Sequence, residues 1–305
     1  MTTKTSDADL EALYAYLMAQ PAVRHNPPAT RLSFPFNLRF TLAGWNALFL
    51  KQGPMAAMPD RGAQWNRGRY LVDGLGHCSA CHSPRNALGA EMGDRSYLVG
   101  GEADGWEAPA LGERSPSTLR WSEADYYQYL RHGYAPRHGS AAGPMAPVVA
   151  ELRDAADADV RAMAHYLASL DSREDAATAN ALIAASNAAI AATPDTSAAR
   201  LYDGACAVCH TGVERRDLFG IRPQLALNTN VRSDRPDNLI RVILDGIATP
   251  AAGTHGTMPA FRAYIDDRQL ADLVRYIRAT FAPDRQPWAD VEQSIARARG
   301  ASRKH

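Results

Sequence analysis

A chain of 305 residues with 46% apolar content is long enough for two globular units and too apolar to be disordered. Its 33 Lys and Arg are balanced by 33 Asp and Glu, so the net charge is zero and gives no electrostatic reason to expect nucleic acid. Only Lys4, Lys51 and Lys304 are lysines, which argues against docking through a lysine-rich ring. No apolar run is long enough to cross a bilayer, and the first residues lack the basic stretch and apolar run of a secretory signal.

The first predicted element is a helix over 7–17. Leu10, Leu13, Tyr14 and Leu17 recur at helical spacing, with Ser6 and Asp9 placed as a capping box. Nothing before it supplies a cover for its apolar face. Residues 27–60 begin with Pro27 and Pro28 and hold the most apolar stretch of the chain, from Phe34, Phe36, Leu38 and Phe40 to Trp45, Leu48, Phe49 and Leu50. The expectation is a linker packed between domains. The sharper alternative is contact of 32–50 with a membrane surface or a partner subunit, which Trp45 flanked by Arg39 and Lys51 would suit.

CSACH at 78–82 comes next, and CAVCH follows at 206–210; together they use every cysteine in the chain. Cysteines three positions apart present both thiols on one side, where they can add across the two vinyl groups of a haem. The next residue, a histidine, reaches the iron from the same side, which is why C-x-x-C-H is the attachment signal for c-type haem. Cys78, Cys81, Cys206 and Cys209 are therefore expected to bind two haem c groups covalently, with His82 and His210 as iron ligands. A zinc site built from both pairs would have to join distant segments and would leave both histidines unexplained. A thioredoxin-like dithiol would need a βαβ context, and the pattern shows none.

An iron held by histidine on one face needs a ligand or an open position on the other. SEADYYQYLRHG (122–133) and DRPDNLIRVILDG (234–246) read as short capped helices stopped by Gly133 and Gly246. Twelve residues beyond each glycine stands a methionine, Met145 and Met258, each with a glycine two places before it, Gly143 and Gly256. Methionine is usually core filler, as expected for Met163. Met145 and Met258 instead fall in Gly/Pro-bearing loops without periodicity, and they are predicted as the second iron ligands, with His138 and His255 as fallbacks. Closing helices follow at 157–167 and 267–277 and align without a gap. Val160, Met163, Ala164 and Leu167 match Leu270, Leu273, Val274 and Ile277, and Tyr166 matches Tyr276. The unit of helix, CxxCH, capped helix, methionine and closing helix thus occurs twice.

These residues resemble the class I cytochrome c fold, an all-α fold whose C-terminal helix packs across its N-terminal one. WNRGRYLVDGLGHCSACHSPR (65–85) and NLIRVILDG (238–246) resemble, more specifically, the multihaem cytochrome c subunit of bacterial membrane-bound dehydrogenases. That group serves quinoprotein alcohol dehydrogenases, flavin-dependent gluconate and related sugar dehydrogenases, and molybdenum hydroxylases of the nicotinate type. The resemblance implies that the carbonyls of Pro109 and Pro223 accept a hydrogen bond from the ligand histidines, fixing ring and tautomer. It also implies a dehydrogenase catalytic subunit as partner and a periplasmic location, with electrons passing on to quinone or a terminal oxidase. Met/His ligation leaves no open position for substrate, so no catalytic residue is assigned. The rival readings are a dihaem cytochrome c peroxidase, which needs one open iron, and a zinc-stapled scaffold.

Members of that family usually carry three haems and a signal peptide. DADLEALYAYL (7–17) aligns without a gap with both closing helices, Leu10 with Val160 and Leu270, Leu13 with Met163 and Leu273, Tyr16 with Tyr166 and Tyr276. The expectation is that 1–26 is the remnant closing helix of a preceding cytochrome c domain, with Met1 about where that domain's ligand belongs. The expected order continues with the apolar linker 27–60, a first cytochrome c domain at 61–172, an Ala-rich linker at 173–197, a second domain at 198–284 and a loose polar tail at 285–305.

Overall fold

The structure is a computed structural model and describes residues 2–35, 37–51, 53–175, 177–192, 194–210, 224–248 and 257–301. Helices dominate it, and its four strands form two short hairpins. Helix α1 (Asp7–Met18) starts at Ser6, whose hydroxyl accepts the Asp9 N–H at 3.2 Å. The other half of the expected capping box is taken over by Tyr70. Its hydroxyl accepts the Ser6 N–H at 3.0 Å and donates to the Asp9 carboxylate at 2.5 Å. No residue of α1 is buried.

The segment expected to pack between domains lies on the surface instead. Prolines 27 and 28 offer no N–H and keep the chain out of a helix, and residues 21–33 have no regular structure. Helix α2 (Thr41–Phe49) then leaves Phe34, Phe40, Leu42 and Leu48 exposed around it. Half-buried Trp45 ties α2 down, its indole N–H donating to the Leu88 carbonyl at 3.0 Å.

The first unit begins with α3 (Ala63–Tyr70), which runs through a π-turn at Leu71–Leu75 into the single turn of α4 (Ser79–His82). Strands β1 (Gly101–Ala103) and β2 (Trp106–Ala108) form a hairpin. Its two-residue turn, Asp104 and Gly105, has φ of 50° and 74°, the left-handed pair that matches strand twist. Helix α5 (Glu123–His132) has a full capping box between Ser122 and Asp125 and stops at Gly133, where φ is 83°. Then come the small hairpin of β3 (Tyr134–Ala135) and β4 (Gly139–Ser140), α6 (Met145–Leu152) and α7 (Asp157–Ala168). Helices α3 and α7 cross at Gly68, where a Cβ would lie 1.9 Å from the Ala162 carbonyl oxygen. Only glycine allows that approach, and the crossing closes a core of Leu71, Val72, Leu98, Tyr126, Val160 and Met163.

The second unit comprises α8 (Ala179–Ala192), α9 (Ser197–Ala205), α10 (Ala207–His210), α11 (Thr229–Arg232), α12 (Asp237–Asp245), α13 (Asp267–Phe281) and α14 (Val291–Ala301). The Ala-rich segment is more than a linker, since Ile190 of α8 packs against the core formed by Tyr202, Val231, Ile240, Leu270 and Val274. The expected loose tail needs correction. Trp288, Val291, Ile295 and Ala298 are buried in that same core, and the Trp288 N–H donates to the Ser233 carbonyl at 2.9 Å. Val291, Ile295 and Ala298, spaced by four and three residues, make an apolar stripe along α14, masked in the sequence by the surrounding arginines.

The two units meet through polar contacts. The Glu107 N–H donates to Asn238 Oδ1 at 2.9 Å, and Asn238 Nδ2 donates back to the Glu107 carbonyl at 2.8 Å. The Thr229 N–H donates to the His138 carbonyl at 3.0 Å, and Arg232 Nε donates to Thr118 Oγ1 at 2.7 Å. The Arg241 guanidinium sits 5.7 Å from the centre of the Trp106 ring.

Candidate haem sites

Helix α4 is a single turn that holds three side chains of the motif close together. The His82 N–H closes on the Cys78 carbonyl at 3.0 Å, so Cys78, Cys81 and His82 are held in one turn, each partly buried. Strand β2 ends at Ala108 and delivers Pro109 to the histidine, placing its carbonyl oxygen 2.7 Å from His82 Nδ1. A carbonyl can only accept, so Nδ1 carries the proton and Nε2 keeps its lone pair for a metal. Burial pushes the His82 pKa down and so favours the neutral ring that a metal ligand requires, against the smaller opposite pull of the Pro109 carbonyl. Burial, with the Asp73 charge next, pushes the Cys78 thiol up to about 12. A low-pKa redox dithiol has the opposite character.

Met145 stands at the start of a helix, not in a loop as the sequence suggested. Pro144 is the N-cap of α6, and the run Ala146, Val148, Val149 and Ala150 continues into helix once Gly143 has turned the chain. Gly143 has φ of 53°, and a Cβ there would stand 2.4 Å from the Trp106 ring, so the indole backs the turn into Met145. Met145 and Cys78 both border the first core. The fallback ligand His138 is engaged elsewhere. Its ring stacks on Trp121 at 4.0 Å and its Nδ1 lies 3.1 Å from Ser117 Oγ.

In the second unit Cys206 caps α9, and the His210 N–H donates to its carbonyl at 3.0 Å. Burial pushes the Cys206 thiol up to about 11, with Cys209 adding a smaller push. Met258 is pinned by two backbone bonds of 3.0 Å with Ile247, and it borders the second core together with Cys206. Pro223, His255 and Gly256 lie outside the described residues, as does Met1. Gly246 ends α12 with φ of 72°, and a Cβ there would stand 2.4 Å from the Met258 carbonyl oxygen. Gly246→Ala is therefore expected to displace the Met258 strand and cost about 1–3 kcal/mol of stability. In the oxidised protein it should halve the near-infrared sulfur-to-iron band; an unchanged band would show that Met258 does not depend on this turn.

Among the described residues no group of three or more His, Cys, Asp or Glu is placed to hold a metal ion, although both cysteine pairs and both adjoining histidines are described. The two pairs do not converge into one zinc site. Sequence reasoning missed Asn238 and Trp106. Asn238 lies inside the run NLIRVILDG, and a polar residue at the start of a buried helix was the available signal.

Comparison with known proteins supports the same architecture. The family described as cytochrome c matches residues 66–171, and the family described as cytochrome c oxidase, cbb3-type, subunit III matches residues 193–277. The chain is a c-type cytochrome with cytochrome c domains in tandem, and such domains carry covalently bound haem c. More particularly, it is a homologue of the cytochrome c subunits of bacterial dehydrogenases. A nicotinate dehydrogenase subunit of Pseudomonas putida is 50% identical over 98% of this chain. The fructose dehydrogenase cytochrome subunit of Gluconobacter japonicus is 33% identical over 91%, and the gluconate 2-dehydrogenase cytochrome c subunit of Pantoea cypripedii is 36% identical over 90%. The chain spans 25%, 62% and 66% of those three proteins respectively.

Proposed function

We propose that the chain binds two haem c groups and relays electrons from a dehydrogenase catalytic subunit towards quinone or a terminal oxidase. The haem-binding segments are 61–172 and 198–284, the second lying within the larger unit that α8 and α14 complete. The first haem would be attached at Cys78 and Cys81, with His82 and Met145 as the side chains that would hold the iron and Pro109 behind the histidine. The second would be attached at Cys206 and Cys209, with His210 and Met258, and Pro223 in the matching role. One observation carries this reading: in each unit a cysteine of the CxxCH pair and the matching methionine border the same apolar core.

Bound haem supplies a one-electron couple. The residues around it make that couple useful. The Pro109 carbonyl orients His82 and holds its proton on Nδ1. The apolar cores limit water at both sites, and methionine raises the potential to suit acceptance from a dehydrogenase. With His and Met both holding the iron, no position would be left for a substrate, and the subunit would work as a relay without a catalytic residue of its own. Attachment of this kind takes place outside the cytoplasm, which puts the protein in the periplasm, with 32–50 as a peripheral membrane contact.

A pyridine haemochrome assay on the exported protein should return two haems per chain, falling to one in Cys206→Ala/Cys209→Ala. One haem in the parent protein would reject the second site. Peroxide turnover with a high-spin signal would favour a peroxidase.

A further inference from the structure

Residues 12–59 contain no Asp or Glu, although the whole chain holds 33 of them. The same stretch carries Arg24, Arg31, Arg39 and Lys51. All four are exposed, and none forms an ion pair among the described residues. Elsewhere in the chain arginines are routinely paired, as in Arg67–Asp159 at 2.8 Å and Arg262–Asp245 at 2.6 Å. Among these free cations stands the apolar surface described above, with Phe34 77%, Phe40 74% and Leu48 73% exposed. Helix α2 between them has no charged residue.

We propose that this stretch binds the surface of a bilayer carrying anionic headgroups, with α2 lying in the interface. The proposal rests on the peripheral-membrane reading of 32–50 and specifies its lipid. Nine residues of helix reach only ~14 Å, about half of a hydrocarbon core of ~30 Å, so α2 lies in the membrane plane and does not cross it. Trp45 fixes the helix to the body of the protein through Leu88 and meets Phe49 at a ring-centre distance of 5.4 Å. Phe40 and Leu48 are thus presented from an anchored element. An apolar face alone would suit a protein partner equally. Four unpaired cations with no intervening carboxylate select phosphate-bearing headgroups, because basic residues next to a membrane are attracted by anionic lipid and oppose nothing else in the segment.

The test is co-sedimentation of the full, haem-loaded chain with phosphatidylcholine vesicles, with and without phosphatidylglycerol. Binding is expected to the anionic vesicles and to weaken in high salt. Arg39→Gln and Lys51→Gln should each weaken it about fivefold, and Phe40→Ser/Leu48→Ser should abolish it. Tyr264→Ser, on an exposed residue of the second unit, should leave it unchanged. Equal Soret absorbance per chain establishes that each variant is folded and loaded. Equal binding to neutral and anionic vesicles would overturn the headgroup selectivity and leave the peripheral reading standing. No binding to either, or binding indifferent to the Phe40/Leu48 pair, would overturn both. Loss of dehydrogenase association in that pair, with no vesicle binding by the parent, would assign the face to a protein and overturn the proposal.

Discussion

Met258→His is expected to lower one of the two reduction potentials by on the order of 0.2 V, within the ~0.8 V that axial ligands command, and to leave the other potential and both thioether attachments in place. Thioether sulfur is a soft ligand that favours reduced iron, whereas imidazole donates more strongly and favours the oxidised state. The backbone at position 258 is held independently of the side chain's identity, through the paired bonds to Ile247. Met145→His should act on the other potential alone, its position being set by the turn at Gly143 and by α6. Spectroelectrochemical titration reads both couples. If neither variant moves a potential, the methionines are core residues and the assignment fails.

The stability of the first unit should fall as pH rises through about 6, and Asp73 should be the cause. Asp73 is 8% exposed, and burial pushes its pKa from 3.8 up to about 6, against the opposing charges of Lys4 and Arg69. Arg69 stands 3.8 Å away, and the Tyr97 hydroxyl donates to the carboxylate while lying 3.3 Å from the Tyr166 hydroxyl. Those contacts favour the ionised carboxylate, but burial outweighs them, so the folded protein holds this proton more tightly than the unfolded chain does. That contribution is complete below the unfolded pKa and is lost as pH climbs through the folded one. Raising the carboxyl pKa from 3.8 to about 6 corresponds to ~3 kcal/mol. Asp73→Asn cannot ionise, so the stability of the natural protein relative to this variant should drop by up to ~3 kcal/mol between about pH 4 and pH 7. Urea denaturation at the two pH values measures it, the other carboxylates cancelling between the proteins. A difference that stays flat with pH would place the Asp73 proton elsewhere.

The repeated unit was legible because its signals are local. CxxCH needs only consecutive backbone positions, α5 announces itself with Ser122, Asp125 and Gly133, and α7 and α13 share one apolar stripe. The Pro109 carbonyl reached His82 as the family resemblance implied, through a hairpin whose Asp104–Gly105 turn is itself a local signal. Long-range competition was not legible. Tyr70 displaces half of the α1 capping box from 61 residues away, a partner that no window around Ser6 contains. The fate of apolar residues was also hidden. Trp288, Val291 and Ile295 sit among arginines yet are buried, whereas Phe34, Phe40 and Leu48 form the most apolar run and are exposed. Composition counts apolar atoms; whether a surface is left to receive them depends on which cores are already full.

The clamp that Asn238 places on Glu107 ties the chemistry of one unit to the packing of the other. Glu107 lies two residues before Pro109, whose carbonyl sets the His82 ring, so the last support of that ring is an amide from α12. Thermodynamic linkage then applies. If oxidation at either iron changes the strength of the clamp, docking of the units must in turn bias that iron's electron affinity by the same free energy. With two haems bound as proposed, the two couples would in that case form one cooperative system, with Asn238 at the joint.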